Sequence, residues 1–199
     1  DNNRLAVEWF RQTLGRALRQ IDEDFRSYRI SEAFMTAYKL FWDDFSGWYL
    51  EMIKPAYQCP IDRPTLEATC GFFDDLLRLL HPFMPFVTEE IWQDLAPRKA
   101  GESIMVQRMP EAREIDEALL GRFELTKEVV TAVRNVRKQK NIPQKDPLTL
   151  RVIADENYPA EYAPVMRKMA NLTAVETVTE KDPAAAAFIV KTTQYFVPM

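Results

Sequence analysis

Apolar positions recur at helical spacing through most of the chain. Leu14, Leu18, Ile21 and Phe25 lie three or four residues apart, which puts them on one face of a long amphipathic helix. Ser31 suits an N-cap, and beyond it Phe34, Tyr38, Phe41, Phe45, Trp48 and Met52 form one stripe. Trp42 and Tyr49 form a flanking stripe, so this second helix is predicted to have two packing partners. A third helix is predicted to begin near Pro64, to carry Leu66, Cys70, Phe73, Leu77 and Leu80 on one face, and to end at His81. Pro82 and Pro85 each remove a backbone donor and disfavour helix in the residue before them, so HPFMP reads as a sharp corner. Thr88 is placed to cap a short helix through Leu95, and Phe83, Met84 and Phe86 are expected to plug the core.

The pattern loosens over residues 96–110, a connector in which SIMVQ reads as a short extended run. Ile115, Leu119, Phe123, Leu125, Val129, Val133 and Val136 then predict a helix of about 25 residues. Acids crowd its start and bases its end, a polarity that complements the helix dipole. After NIPQKDP the period changes: Pro143 and Pro147 break the helix, and LTLRV alternates as a strand does. The reading is a mainly α chain, with a helix bundle over residues 1–142 and a small α/β subdomain over 143–199. Its pieces are that strand, a short helix over residues 159–169, a strand near 174–178 and a strand pair over 188–197. No internal repeat supports a solenoid.

With 199 residues and 47% hydrophobic content the chain can build a sizeable core, and its formal net charge of -4 confines any nucleic-acid partner to a local basic patch. Cys59, Cys70 and the lone His81 cannot make a four-ligand zinc site, so both thiols are expected to be reduced and structural. No apolar run approaches the roughly 20 residues of a membrane span, which makes the cytoplasm the default compartment and no membrane the expected partner. The chain opens at Asp1 straight into a helical pattern, as an excised piece of a longer protein would. No GxGxxG, Walker, GxSxG or HExxH motif is present. His81 fits a helix C-terminus, its imidazole bonding a carbonyl, better than a general base. Asp43 and Asp44 are adjacent on a helix, point apart, and do not converge on a substrate. No catalytic or metal residue is assigned.

Two clusters carry a possible binding chemistry. Trp42, Trp48, Tyr49, Leu50 and Lys54 combine aromatic and apolar side chains with a cation, which is what unstacked RNA bases need, although periodicity alone favours core packing. Arg134, Arg137 and Lys138 fall at i, i+3 and i+4, either a solvated helical face or a contact for phosphates.

FWDDFSGWYLEMIKP resembles the Trp-Tyr-Leu-Glu signature of the anticodon-binding helix bundle in class I aminoacyl-tRNA synthetases for valine, isoleucine and leucine. LLRLLHPFMPFVTEEIWQDL is similar to the helix, corner and helix that follow it in that family. Trp48, Tyr49, Leu50, Glu51 and Lys54 match the valine version, as do His81, Pro82, Pro85, Thr88, Glu89, Glu90 and Trp92. SIMVQRMP and VRNVRKQKNIP look like the connector and last bundle helix, so the resemblance covers nearly the whole chain. Departures are Ser46 and Gly47, where the family often has Cys-Asp, and Lys138-Gln139, where an acid often follows the second arginine.

The resemblance implies an anticodon-arm binding segment of a valyl-tRNA synthetase, with the isoleucyl enzyme or a helical protein-interaction module as alternatives. It implies Trp48, Tyr49 and Leu50 on the loop's bases, and Lys54, Arg134, Arg137 and Lys138 on phosphates. The expected partners are a valine-specific tRNA and the catalytic, editing and coiled-coil domains of the same polypeptide, in a monomer. ATP and Mg2+ are implied for the parent enzyme and no cofactor for this segment. A further bundle helix is expected upstream of Asp1, and the coiled coil after Met199.

Overall fold

The computed structural model describes residues 2–199. The mainly α reading with a small α/β part holds: α1 (Asn2–Arg26), α2 (Ile30–Lys39), a π-helical segment (Leu40–Tyr49), α3 (Leu50–Ile53), α4 (Arg63–Leu80), α5 (Pro85–Leu95) and α6 (Glu117–Gln139) precede β1 (Leu148–Ile153), α7 (Ala163–Met169), β2 (Leu172–Thr177), β3 (Ala186–Val190) and β4 (Thr193–Val197). By contacts the residues form two compact units, 6–116 and 2–5 with 117–199. The division falls between Asp116 and Glu117, one helix earlier than the change of hydrophobic period at 142/143.

In the 6–116 unit the core is aromatic. Phe10 of α1 has its ring centre 5.3 Å from Phe45, 5.1 Å from Tyr49 and 4.8 Å from Phe72. Leu14, Leu18 and Ile21 continue that buried face, as their spacing predicts. Helix α1 ends where Tyr28 turns left-handed at φ 57°, and the Arg29 N–H closes back on the Asp24 carbonyl at 2.8 Å. That closure makes Arg29 the N-cap of α2, with no side-chain bond, and corrects the expectation that Ser31 caps it. At α4 the Asp62 carboxylate caps the Thr65 N–H at 3.0 Å, with Pro64 in the first turn.

The corner after α4 departs from expectation in three places. Thr88 lies inside α5, where its hydroxyl donates to the Met84 carbonyl at 2.8 Å; it does not cap the helix. The same hydroxyl lies 2.7 Å from His81 Nδ1, and because its proton is already given to Met84, His81 donates. His81 therefore bonds a hydroxyl where a backbone carbonyl was expected. Pro85 at the start of α5 turns the first-turn side chains outward, so Phe86 is 89% exposed and Met84 is at the surface; only Phe83 packs, against Phe25 and Phe34. The SIMVQ run forms a single 3-10 turn over Ile104–Val106 instead of an extended run. Its position is fixed by the Glu89 carboxylate, which accepts from Ser103 Oγ at 2.6 Å and from the Ile104 N–H at 3.2 Å. Ile104 then joins Leu77 and Trp92 in a satellite core.

In the other unit the sheet order is β2-β1-β4-β3. β1 runs parallel to β2 through a crossover carrying α7, and antiparallel to β4, which pairs antiparallel with β3. Leu150, Val152, Tyr195 and Val197 are buried, with Val152 opposite Tyr195. Arg122 of α6 holds the loop before α7: its guanidinium bonds both Glu161 oxygens, one at 2.7 Å, and donates to the Tyr158 carbonyl at 2.9 Å. The guanidinium's hydrogen bonds hold the Glu161 carboxyl below its ordinary value of 4.5. A carboxyl lowered in the native state adds stability that is complete above its unfolded value and fades as pH falls through the native one. The stability difference between the wild type and Glu161→Gln should thus be full at pH 6 and shrink as the pH falls through the acidic range below the ordinary carboxyl value. Urea unfolding across that range reads it; a difference that stays constant with pH would rule the linkage out.

Candidate nucleic-acid interface

The Trp-Tyr-Leu-Glu signature lies where the helix changes its winding. Residues 40–49 are π-helical, and the Leu50 N–H bonds the Phe45 carbonyl five residues back. This wider turn slides the side-chain phase, so the buried positions are Leu40, Phe45, Tyr49 and Met52. Constant 3.6-residue spacing had placed Trp48 on the core stripe with Tyr49 beside it. The structure exchanges them: Trp48 is half-buried and Tyr49 fully buried.

Tyr49 is therefore corrected from a base contact to a core residue. Its hydroxyl sits 2.7 Å from Thr69 Oγ1, which itself donates to the Thr65 carbonyl at 2.7 Å, so Tyr49 is the donor. Burial pushes the phenol above its usual value. Leu50 stays half-exposed and lines an apolar cleft of about 380 Å3 with Phe41, Phe45, Ser46, Thr69 and Phe73. Lys54, just past α3, keeps 69% of its side chain exposed, with Nζ 3.8 Å from Glu51. Trp48, Leu50 and Lys54 lie within seven residues of one another in sequence, each with part of its side chain open to solvent.

The basic end of α6 is split by its own helix. Arg134 and Lys138 are exposed, and Arg134 also donates to the Met169 carbonyl at 2.8 Å. Arg137 is 1% exposed and is corrected from a phosphate contact to a structural residue. Its guanidinium donates to the carbonyls of Pro143 (3.0 Å), Asp146 (2.6 Å), Ala170 (3.1 Å) and Asn171 (2.9 Å). Burial lowers its pKa. Arg137 lies three and four residues after Arg134 and Val133, yet seven after Val130, and so falls on the buried stripe of Val130 and Val133.

Sequence reasoning passed over Arg16 of α1 and Lys39 of α2, and it grouped Trp42 with Trp48 without pairing it with Tyr38. Tyr38, assigned to the core stripe, is 42% exposed, and Trp42 is 60% exposed, with the two rings stacked at 6.5 Å and 8°. Lys39 and Arg16 line a cleft on the same unit. The usable signal was an i, i+4 aromatic pair flanking a lysine. Cys59 and Cys70 are free thiols. Among the described residues, no helix is long and apolar enough to cross a membrane, and no group of three His, Cys, Asp or Glu side chains could hold a metal.

The chain is similar to the valine–tRNA ligase of Parabacteroides distasonis, at 55% identity over 195 residues that make up 98% of this chain and 22% of that protein. It is similar to that of Phocaeicola vulgatus at 50% over 196 residues, 98% and 22% respectively, and to that of Thermotoga maritima at 33% over 193 residues, 96% and 22%. The chain thus spans under a quarter of the length of the relatives it matches. Residues 7–154 match the family described as the anticodon-binding domain of tRNA ligase, a stretch that runs from the second turn of α1 through β1. With well over half its length matched, the chain belongs to the anticodon-binding domain family of tRNA ligases.

Proposed function

We propose that this chain is the segment of a valine–tRNA ligase that holds the anticodon arm of valine tRNA. The observation that carries the reading is the similarity to valine–tRNA ligases over 98% of the chain, joined to the anticodon-binding family match. The segment positions RNA and performs no bond chemistry. Activation of valine with ATP and Mg2+, and its transfer to tRNA, would be the work of other parts of a cytoplasmic, monomeric parent.

Trp48 and Leu50 offer apolar surface to bases of the loop, and Lys54 offers a charge to its backbone. Arg134 and Lys138 offer charge to phosphates on their own unit. Base contacts carry identity, while phosphate contacts set position and salt dependence. Tyr49 and Arg137 have no part in this contact set, because neither side chain reaches solvent.

Filter binding of the full-length ligase to valine tRNA, and to the same tRNA with a changed anticodon, tests the reading across a salt series. Leu50→Ala should weaken the cognate complex about tenfold, as loss of a base contact does, and erode the anticodon preference. Lys54→Ala and Lys138→Ala should each reduce the log–log salt slope by about 0.7 with little change in preference. Equal affinity for both tRNAs in the wild type would reject an anticodon-reading role and leave a scaffold.

A further inference from the structure

We propose that the outer face of α2 and the π segment is a second RNA contact within residues 6–116, in which an unstacked base lies on the Trp42 indole and its phosphate sits in the cleft between Arg16 and Lys39. This rests on the anticodon-arm reading and extends it to residues outside the Trp-Tyr-Leu signature.

Three observations converge. Trp42 is 60% exposed although it is among the largest apolar side chains of the unit, and the Tyr38 ring, its centre 6.5 Å away and its plane nearly parallel, backs it as the lower rung of a ladder. A ladder of this kind offers one free π-face on which a base can continue the stack, whatever its identity. Beside it, a cleft of about 280 Å3 is lined by Thr13, Arg16, Gln20, Thr36, Lys39 and Asp44, with Ala17 and Leu40. Among the described residues neither Arg16 nor Lys39 has an acidic partner within 4 Å, and the buried Thr13 hydroxyl has no hydrogen-bond partner.

Two cations without an acidic partner in one open cleft are what a phosphodiester would pair with. Asp44 lines the same cleft and has an interaction of its own. Glu32 and Asp24 line the neighbouring cleft, which Lys39 also borders, and Asp24 is held by Arg29 at 2.9 Å and by Gln20 at 3.1 Å. Met35 on the same helix is also exposed, but the cations Arg16 and Lys39 beside the aromatic pair suit an anionic ligand better than an apolar peptide. Alternation of aromatic ring and cation, from Tyr38 to Lys39 to Trp42, fits single-stranded RNA.

The test uses the full-length ligase with Trp42→Ala, Trp42→Phe and the pair Arg16→Ala with Lys39→Ala. Because these side chains are exposed, each variant should keep the wild-type melting temperature. Trp42→Ala should weaken tRNA binding about tenfold and raise KM for tRNA with kcat kept, while Trp42→Phe should stay within about threefold. The cation pair should lower the salt slope by about 1 to 2. In the wild type, tRNA should quench tryptophan fluorescence, and Trp42→Phe should reduce that quench. If wild type binds tRNA yet Trp42→Ala keeps full affinity and the cation pair keeps the full slope, the inference is overturned, the anticodon-arm reading survives, and the ladder belongs to a protein partner. If wild type fails to bind tRNA, the anticodon-arm reading itself has failed.

Discussion

Replacing Arg137 by alanine should destabilise the 117–199 unit by about 3 to 5 kcal/mol, the cost of removing a buried charged group from its hydrogen-bonded partners. Four backbone carbonyls, from Pro143, Asp146, Ala170 and Asn171, accept from this one guanidinium. Two of them belong to the turn that follows α6 and two to the end of α7, so one side chain fixes where β1 and β2 begin. The gain is less than four charge-assisted bonds, since burial of the cation opposes it, as the lowered pKa shows, and Nε has no partner. For a unit of this size each kcal/mol is worth about 4 to 8 °C, so the melting temperature should fall by at least about 12 °C. Arg137→Lys should recover little, because an ammonium cannot span acceptors set out for a planar fork. A variant that melts like wild type but loses tRNA affinity would return Arg137 to the RNA contact.

Arg137 also shows how far the fold and the site were legible. The three-residue and four-residue spacings that located α1, α4 and α6 are properties of a helix by itself, and those helices appear at the predicted places. The strand order of the α/β part needs pairing partners that periodicity cannot name, although its strands and its short helix were placed correctly. At α6 the seven-residue step from Val130 marked Arg137 as inward-facing, but a guanidinium is read as surface unless its acceptors are known. Those acceptors are carbonyls in other elements, 6 to 34 residues away in sequence.

The π segment hid its phase for another reason. Its extra backbone residue per hydrogen-bonded ring depends on what α2 and α3 must bury at either end, and no single residue within it announces the change. The family signature survived because it is a word of adjacent residues. The roles within the word did not, since they depend on a phase shift of one position.

Tyr49 is where that shift has its largest consequence. Its ring packs against Phe10 at 5.1 Å, Phe72 at 5.4 Å and Phe45 at 5.5 Å, joining α1, the π segment and α4. Tyr49→Ala should therefore cost the 6–116 unit about 3 to 5 kcal/mol, the usual range for deleting a buried aromatic ring with incomplete collapse around it. Tyr49→Phe keeps the ring and removes only the bond to Thr69, which retains its own acceptor at the Thr65 carbonyl, so the loss should be about 1 kcal/mol. The two variants separate core from contact. A base-contacting tyrosine would lose tRNA affinity in the phenylalanine variant through its missing hydroxyl, at unchanged stability. A core tyrosine loses a little stability there and no affinity, while Leu50→Ala beside it, half-exposed on the same turn, behaves in the opposite way. Chemical denaturation and filter binding on both variants decide it: wild-type stability in Tyr49→Ala would mean that the aromatic core is not closed by this ring and that the π phase is wrong.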